Sequence, residues 1–339
     1  FPVDDELDVD ACAVTGELPS GLRGTFIQNG PNPRFEPLGR YHMFDGDGML
    51  HGIDFGDGRA SYRNRWIRTP GLQAELRHGR ALYHGLGDLT QFPDPELVGD
   101  AGPVKNPANT HIIRHAGKFL ALWEGGPPTE VTRGLDTVGV FTFEGKLPGP
   151  MTAHPRLDPR TGEMYFFAYS PIEPYLRYYV ADAAGNLVHG VDLDTPAPAM
   201  IHDFILTEQY CVFLDSPIIF NLNFDGGPLV SWRPENGTRL GVIPRFGSAQ
   251  DMTWYEVENG HVQHFWNGWL EGKRIELSGC RVAHPQFGVD TDEDLETTSA
   301  DAAAGRPARY WIDLDAGTAG WEQFDDMGGD FCRFNDDMA

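Results

Sequence analysis

Short apolar and aromatic runs, each closed by a cluster of Gly, Asn, Asp or Pro, recur along almost the whole chain. HAGK follows HIIR, DPRTGE precedes MYFFAY, ADAAGN follows YLRYYV, RPENGT follows PLVSW, EVENGH follows DMTWY, and LEGKR precedes IELSG. Each cluster supplies a residue that tolerates the backbone of a tight turn, so each predicts a hairpin between β-strands. The best helical candidate, LQAELRHGRALYHGL, has weak 3.6-residue periodicity, and no amphipathic helix longer than two turns is expected. The fold class is therefore all-β. At about 40 to 45 residues per four-stranded blade, this many hairpins in succession suit a propeller better than a sandwich, although no clean internal repeat stands out. The acidic, small-residue stretch TDEDLETTSADAAAG, Thr291 to Gly305, reads as a solvated loop.

Composition agrees with one large β domain over residues 1–339. The chain is 40% hydrophobic and 12% aromatic, with 41 Gly and 26 Pro, enough for a sizeable core and many turns. Fifty Asp and Glu against 26 Lys and Arg give a formal net charge of -24. That field opposes docking on phosphate backbones or anionic lipid and argues against a nucleic-acid partner. Cys12, Cys211, Cys280 and Cys332 show no CxxC spacing and are too scattered for a disulfide framework, so a reducing cytoplasm is the default location. No run of ~18 apolar residues is present to span a bilayer. The chain opens on Phe1, so a preceding targeting segment lies outside what can be read.

Three histidines stand at the start of, or inside, strand-like segments: His154 in AHPRLDPRTGEMYFFA, His202 in MIHDFILTEQYCVF and His264 in HVQHFWNGWLEG. They are separated by about one propeller blade and its loops each, so they could converge on a central axis. A neutral imidazole nitrogen suits Fe, Zn, Cu or Ni. A histidine at a strand end is nevertheless more often structural than ligating, and the chain has twelve, so spacing leaves both readings open.

The local sequences resemble the carotenoid cleavage oxygenases. The resemblance runs through LPSGLRGTFIQNGPNPRF, YHMFDGDGMLHGIDF, NPANTHIIRHAGKFLALWEGG, the three histidine segments, PLVSWRPENGTRLGVIPRFG and FCRFNDD, nearly the whole chain. It implies a seven-bladed β-propeller that holds a non-haem Fe(II) by four histidines. His154, His202 and His264 match the family's AHP-x-x-DP-x-TGE, HDF-x-x-TE and H-x-x-N motifs, which implies that they are iron ligands. Glu124, in LALWEGG, falls where the family has a carboxylate that hydrogen-bonds a ligand histidine, fixing its ring.

Two departures matter. Where the family reads E-F-P-R-I-N and uses that Glu behind a histidine, this chain reads Asp330-Phe331-Cys332-Arg333-Phe334-Asn335, with a shorter acid. The family's fourth ligand histidine and a third supporting Glu would lie beyond Ala339. The resemblance thus implies a fragment of a longer protein, lacking its C-terminal part, with about five to six blades and open strand edges. His284, in RVAHPQF, echoes the first motif without the DP-x-TGE turn; the other histidines are assigned to structure or surface.

The resemblance implies O2-dependent cleavage of one C=C bond of a carotenoid or apocarotenoid into two carbonyl products, with electrons drawn from the alkene itself. No general base is nominated; the protein orients, excludes water and shapes the field. An apolar polyene needs an aromatic-walled cavity, and Trp123, Phe204, Phe265 and Trp266 are candidate tunnel residues, although propeller core is the ordinary reading of each. Stilbene-cleaving relatives carry a Lys before the supporting Glu, where this chain has Trp123, which favours carotenoids while keeping stilbene cleavage as an alternative. A catalytically silent propeller binding an apolar ligand, and an isomerising ester-cleaving enzyme, stay open. Peripheral membrane contact for substrate uptake, through LTQFPDPELVGDAGPV, is likewise left open.

Overall fold

The computed structural model describes residues 2–39, 41–42, 44–88, 91–221, 229–285 and 305–332. The acidic stretch expected as a solvated loop lies, apart from Gly305, outside the described residues. The molecule is built from antiparallel sheets and divides into two compact units, Phe1–Ala153 and His154–Ala339.

In the first unit, β1 (Asp8–Val9), β2 (Gly24–Pro31), β3 (Gly48–Gly56) and β4 (Arg59–Trp66) form one sheet in the order β1-β4-β3-β2. After two short helices, β5 (His111–His115), β6 (Lys118–Leu122), β7 (Thr129–Val131) and β8 (Thr137–Val140) form a second in chain order. Leu50, Ile67, Ala121 and Val131 are buried together between them. Helix α1 (Pro70–His78) occupies only the first half of the helical candidate. Its ends explain why. Thr69 accepts from the backbone N–H of Leu72, Pro70 sits at the first helical position, and Gly79, at φ 66°, closes the helix in the left-handed region. Its nine residues exceed the two turns expected, because capping and burial of Leu72, Ala74 and Glu75 compensate for weak periodicity. Helix α2 (Pro95–Val98) is a single turn capped by Asp94.

The second unit stacks three four-stranded sheets. The first holds β9 (Arg156–Leu157), β10 (Met164–Tyr169), β11 (Leu176–Ala181) and β12 (Leu187–Leu193). The middle one holds β13 (Phe204–Leu206), β14 (Tyr210–Asp215), β17 (Thr238–Pro244) and β18 (Thr253–Val257), with the ribbon β15 (Ile218–Phe220) and β16 (Val230–Trp232) inserted between β14 and β17. The last holds β19 (His261–Glu271), β20 (Arg274–Val282), β21 (Arg306–Asp313) and β22 (Thr318–Gln323).

Strand β14 shows how the stack is encoded. Successive side chains point to opposite faces, and YCVFLD is apolar at nearly every position, as a strand covered on both faces must be. Cys211 and Phe213 pack with Tyr165, Phe167 and Tyr178 of the first sheet, while Val212 and Leu214 pack with Phe265, Leu277 and Ile312 of the last.

Four of the six turn signals close hairpins as expected: β5–β6, β9–β10, β11–β12 and β19–β20. The other two do not. RPENGT joins β16 to β17 and EVENGH joins β18 to β19, and neither pair is hydrogen-bonded. An Asn-Gly turn sets local chain reversal, and whether the flanking strands pair depends on which sheet has an edge to offer. No helix among the described residues is long and apolar enough to cross a membrane.

Candidate metal centre

Each of the three stacked sheets has one histidine in, or two residues ahead of, its leading strand. His154, in a bend, and His202 lie two residues before β9 and β13, and His264 lies inside β19. The β19–β20 register shifts between Val262 and Phe265, and such an irregularity re-aims a side chain that strict alternation would send elsewhere. Close approach of β19 to β13 requires Gly268: a Cβ there would stand 2.3 Å from Ile205 Cγ2.

The three rings meet at their Nε2 atoms. His154 Nε2 lies 3.1 Å from His202 Nε2, which lies 3.2 Å from His264 Nε2. The ring centroids are 4.7, 4.9 and 5.0 Å apart. Three converging imidazole nitrogens cannot satisfy one another as donors and acceptors, whereas a cation at their centre satisfies all three. Two nitrogens held ~2.1 Å from one ion are about 3.0 to 3.4 Å apart, so separations of 3.1 and 3.2 Å are of the size that ligands of one shared metal ion would show. Among the described residues these three are the group of His, Cys, Asp and Glu side chains able to hold an ion together.

Asp330 completes the arrangement behind His264. Its Oδ2 accepts from His264 Nδ1 at 2.9 Å, which places the proton on Nδ1 and leaves the Nε2 lone pair facing inward. Burial would raise the Asp330 pKa, but the hydrogen bond and charge of His264 outweigh it and hold the carboxyl below its ordinary value. The shorter acid therefore reaches the ring. Next to it Phe331 adopts φ 56°, an uncommon conformation for a bulky residue, and lays its ring against His264 (4.1 Å between centroids) and His154 (5.8 Å). Nothing in the local pattern pointed to Phe331.

The histidines are registered by a buried ion pair that reading the motifs for ligands alone passed over. Arg156, two residues after His154, places Nη2 2.7 Å from both oxygens of Asp203, beside His202, and its Nε donates to the Phe204 carbonyl. Asp203 is 4% exposed and also accepts from the backbone N–H groups of Phe204 and Phe265, each at 2.8 Å. One carboxylate thus bonds to the leading strands of three sheets, each time one or two residues from a histidine of the cluster. The only sequence signal was a charge beside the histidine in AHPR and HDF.

His261 is buried without joining the cluster. Its ring bonds Ser216 Oγ at 3.1 Å and Gln263 Oε1 at 2.9 Å, and burial first, with the neighbouring His202 and His264 adding to it, lowers its pKa from 6.5 to about 4. Between those values the unfolded chain takes up a proton that the folded chain refuses. Stability is present above pH 6.5 and falls as pH drops toward 4, by roughly 3 kcal/mol in all. Urea unfolding at pH 7.5 and 4.5 should therefore show a smaller acid loss in His261→Gln than in the parent; equal losses would refute it.

The remaining expected residues are dispersed. Phe204 is fully buried against Phe167 and Phe213, and Phe265 is 3% exposed in the other intersheet core. Both rings take part in the packing of these cores. Trp266 is half-buried, edge-on to Phe324. Trp123 and Glu124 belong to the first unit, half-buried after β6, where Trp123 lines a cleft of about 80 Å³ with Phe44, Tyr83 and Lys105. His284 is exposed beside Trp232.

Residues 1–339 match the family model described as retinal pigment epithelial membrane protein. The chain is 33% identical over 358 residues to the carotenoid 9,10(9',10')-cleavage dioxygenase 1 of Arabidopsis thaliana, covering 99% of this chain and 66% of that protein. Among solved structures, the lignostilbene dioxygenase of Pseudomonas brassicacearum superposes with a TM-score of 0.90 at 31% identity, covering 99% of this chain and 71% of that one. A variant of the Synechocystis apocarotenoid oxygenase gives 0.80 at 29% identity, covering 95% and 71%. The chain spans 62 to 66% of the length of the first curated relatives it matches.

Proposed function

Because the chain belongs to the carotenoid oxygenase family, the family of retinal pigment epithelial membrane protein, we propose that it is the larger part of a non-haem iron dioxygenase that cleaves an apolar alkene. The observation that carries this reading is the convergence of His154, His202 and His264 at 3.1 and 3.2 Å between Nε2 atoms, backed by Asp330. In this reading the three imidazoles hold Fe(II), with a fourth implied by the resemblance outside this group. The five four-stranded sheets are five blades of a single propeller domain that has seven when complete. Iron(II), when bound, supplies the one-electron chemistry that lets dioxygen react with a closed-shell alkene.

The protein's own residues do the positioning. Asp330 holds the His264 tautomer, and Glu124 is assigned the same task for another ligand histidine. Asp203 and Arg156 keep the three leading strands in register, and Phe331 shields the His264 and His154 edges from water. Trp123, Phe204, Phe265 and Trp266 are the candidates for contact with an apolar substrate. Carotenoids or apocarotenoids are the favoured class, taken from solution or from a membrane surface, with no role for nucleic acid. The TM-score of 0.90 to a lignostilbene dioxygenase supports a second reading, in which the alkene is a hydroxystilbene.

The test is anaerobic Fe(II) titration of the apoprotein with metal analysis, followed by incubation with an apocarotenal or a hydroxystilbene under labelled dioxygen. About one iron per chain and labelled aldehydes from one substrate class are expected. Failure to bind iron would leave an apolar-ligand-binding propeller; products formed equally without oxygen would point to isomerising chemistry.

A further inference from the structure

The chain that delivers His154 is held immediately before the ring. Met151, Thr152 and Ala153 are 0 to 1% exposed. Two bonds from other segments fix them: the Met151 N–H donates to the Gly126 carbonyl at 3.1 Å, and His111 Nδ1 lies 2.8 Å from the Ala153 carbonyl oxygen. A carbonyl oxygen only accepts, so Nδ1 carries the proton and donates. His111 is itself anchored. It opens β5, pairs with Leu122 of β6, and its own carbonyl accepts from Asn29 Nδ2 of β2 at 3.1 Å. Leu122 stands two residues before Glu124, so the same hairpin carries the carboxylate already assigned to a ligand histidine.

We propose that His111 is a positioning residue for the metal centre: by holding the Ala153 carbonyl, its Nδ1–H sets where the His154 ring meets an ion. The inference rests on the reading that His154 is a metal ligand. The peptide joining Ala153 to His154 is planar, so a fixed carbonyl also fixes the His154 N–H. On the other side, Arg156 ties the chain two residues after His154 to Asp203 and the Phe204 carbonyl. Held from both directions, the imidazole is left mainly with its own side-chain torsions. Groups that orient a ligand from behind are worth about 10- to 100-fold in metal affinity, because a ring free to wander loses part of its binding free energy to ordering. A bond that served folding alone would lower stability and leave the affinity of the folded protein unchanged.

The experiment is a cobalt(II) titration of the full chain, followed through the visible absorption bands of the ion, with urea unfolding of each apoprotein beside it. The variants are His111→Ala, His111→Asn, His154→Ala and the double variant carrying His111→Ala with His154→Ala. His111→Ala is expected to bind cobalt about 10- to 100-fold more weakly, with altered bands. His111→Asn should recover most of the affinity, since its amide nitrogen is as many bonds from the backbone as Nδ1 and donates in the same place. Where His154 is already Ala, removing His111 should cost nothing further, because its effect passes through that ring. His189 supplies the control: its Nε2 also bonds a main-chain carbonyl, that of Gly247 at 3.1 Å, but from β12 at the opposite edge of the sheet from β9, and His189→Ala should bind cobalt like the parent. Equal affinity in the parent and His111→Ala, a loss that adds in full to that of His154→Ala, or no recovery in His111→Asn would each overturn the inference alone. A parent that takes up no cobalt would overturn the metal reading itself, and the inference with it.

Discussion

Asp203→Ala is expected to cost about 3 to 5 kcal/mol of stability and to abolish metal uptake, although Asp203 is not itself assigned to the metal. The substitution strands the Arg156 guanidinium, whose side chain is only 18% exposed, without its counter-charge. It also leaves the Phe204 and Phe265 N–H groups without the acceptor they share. Breaking a buried pair by removing one member is far more costly than the pair's net worth, because the remaining charge stays desolvated. Asp203→Asn keeps an acceptor and should fall between the two. Urea denaturation with a cobalt(II) titration of each variant checks this; a loss under about 1 kcal/mol would mean that packing alone registers the sheets.

His202→Ala should leave unfolding nearly unchanged and weaken metal binding by on the order of a thousandfold. His202 is half-buried, and its Nε2 is the one within 3.2 Å of both others, so its loss removes the middle donor. Removing about a third of a metal-binding free energy of ~10–16 kcal/mol corresponds to several powers of ten, before water takes the vacated position. His284→Ala, at an exposed position, is the control and should bind metal like the parent. Equal losses in the two variants would count against the cluster as the site.

Much of this site could be read from short windows of sequence, because motifs such as AHPRLDPRTGE and HDF carry the histidine together with the local structure that presents it. Asp158 shows the link: it accepts from the Arg160 N–H and its carbonyl from Gly162, folding the DP-x-TGE loop that closes β9 onto β10. What resisted reading depends on pairs far apart in the chain. Arg156 meets the Phe265 carbonyl 109 residues away, and Asp203 meets the Phe265 N–H across 62, whereas Asp330, 66 residues from His264, could be named only through the family resemblance. None of these pairings leaves a periodicity to detect. The turns EVENGH and RPENGT misled for a related reason, since turn chemistry is local while strand pairing is decided by the rest of the sheet. Phe204 and Phe265 were ambiguous for a third: an aromatic residue beside a histidine looks the same in sequence whether it faces a cavity or fills a core.

The placement of one histidine at or just ahead of the leading strand of each of three successive sheets has a consequence for the order in which the molecule is made. The donors are separated by 48 and 62 residues, so no fragment short enough to fold early contains two of them in register. Contacts of such long sequence separation form only after the intervening sheets have closed their loops. Metal cannot therefore nucleate this protein as it nucleates a zinc finger, where ligands a few residues apart gather the chain around the ion. An ion taken up by the three histidines would load late, on an already folded scaffold, and would gain its place only once the third sheet is home.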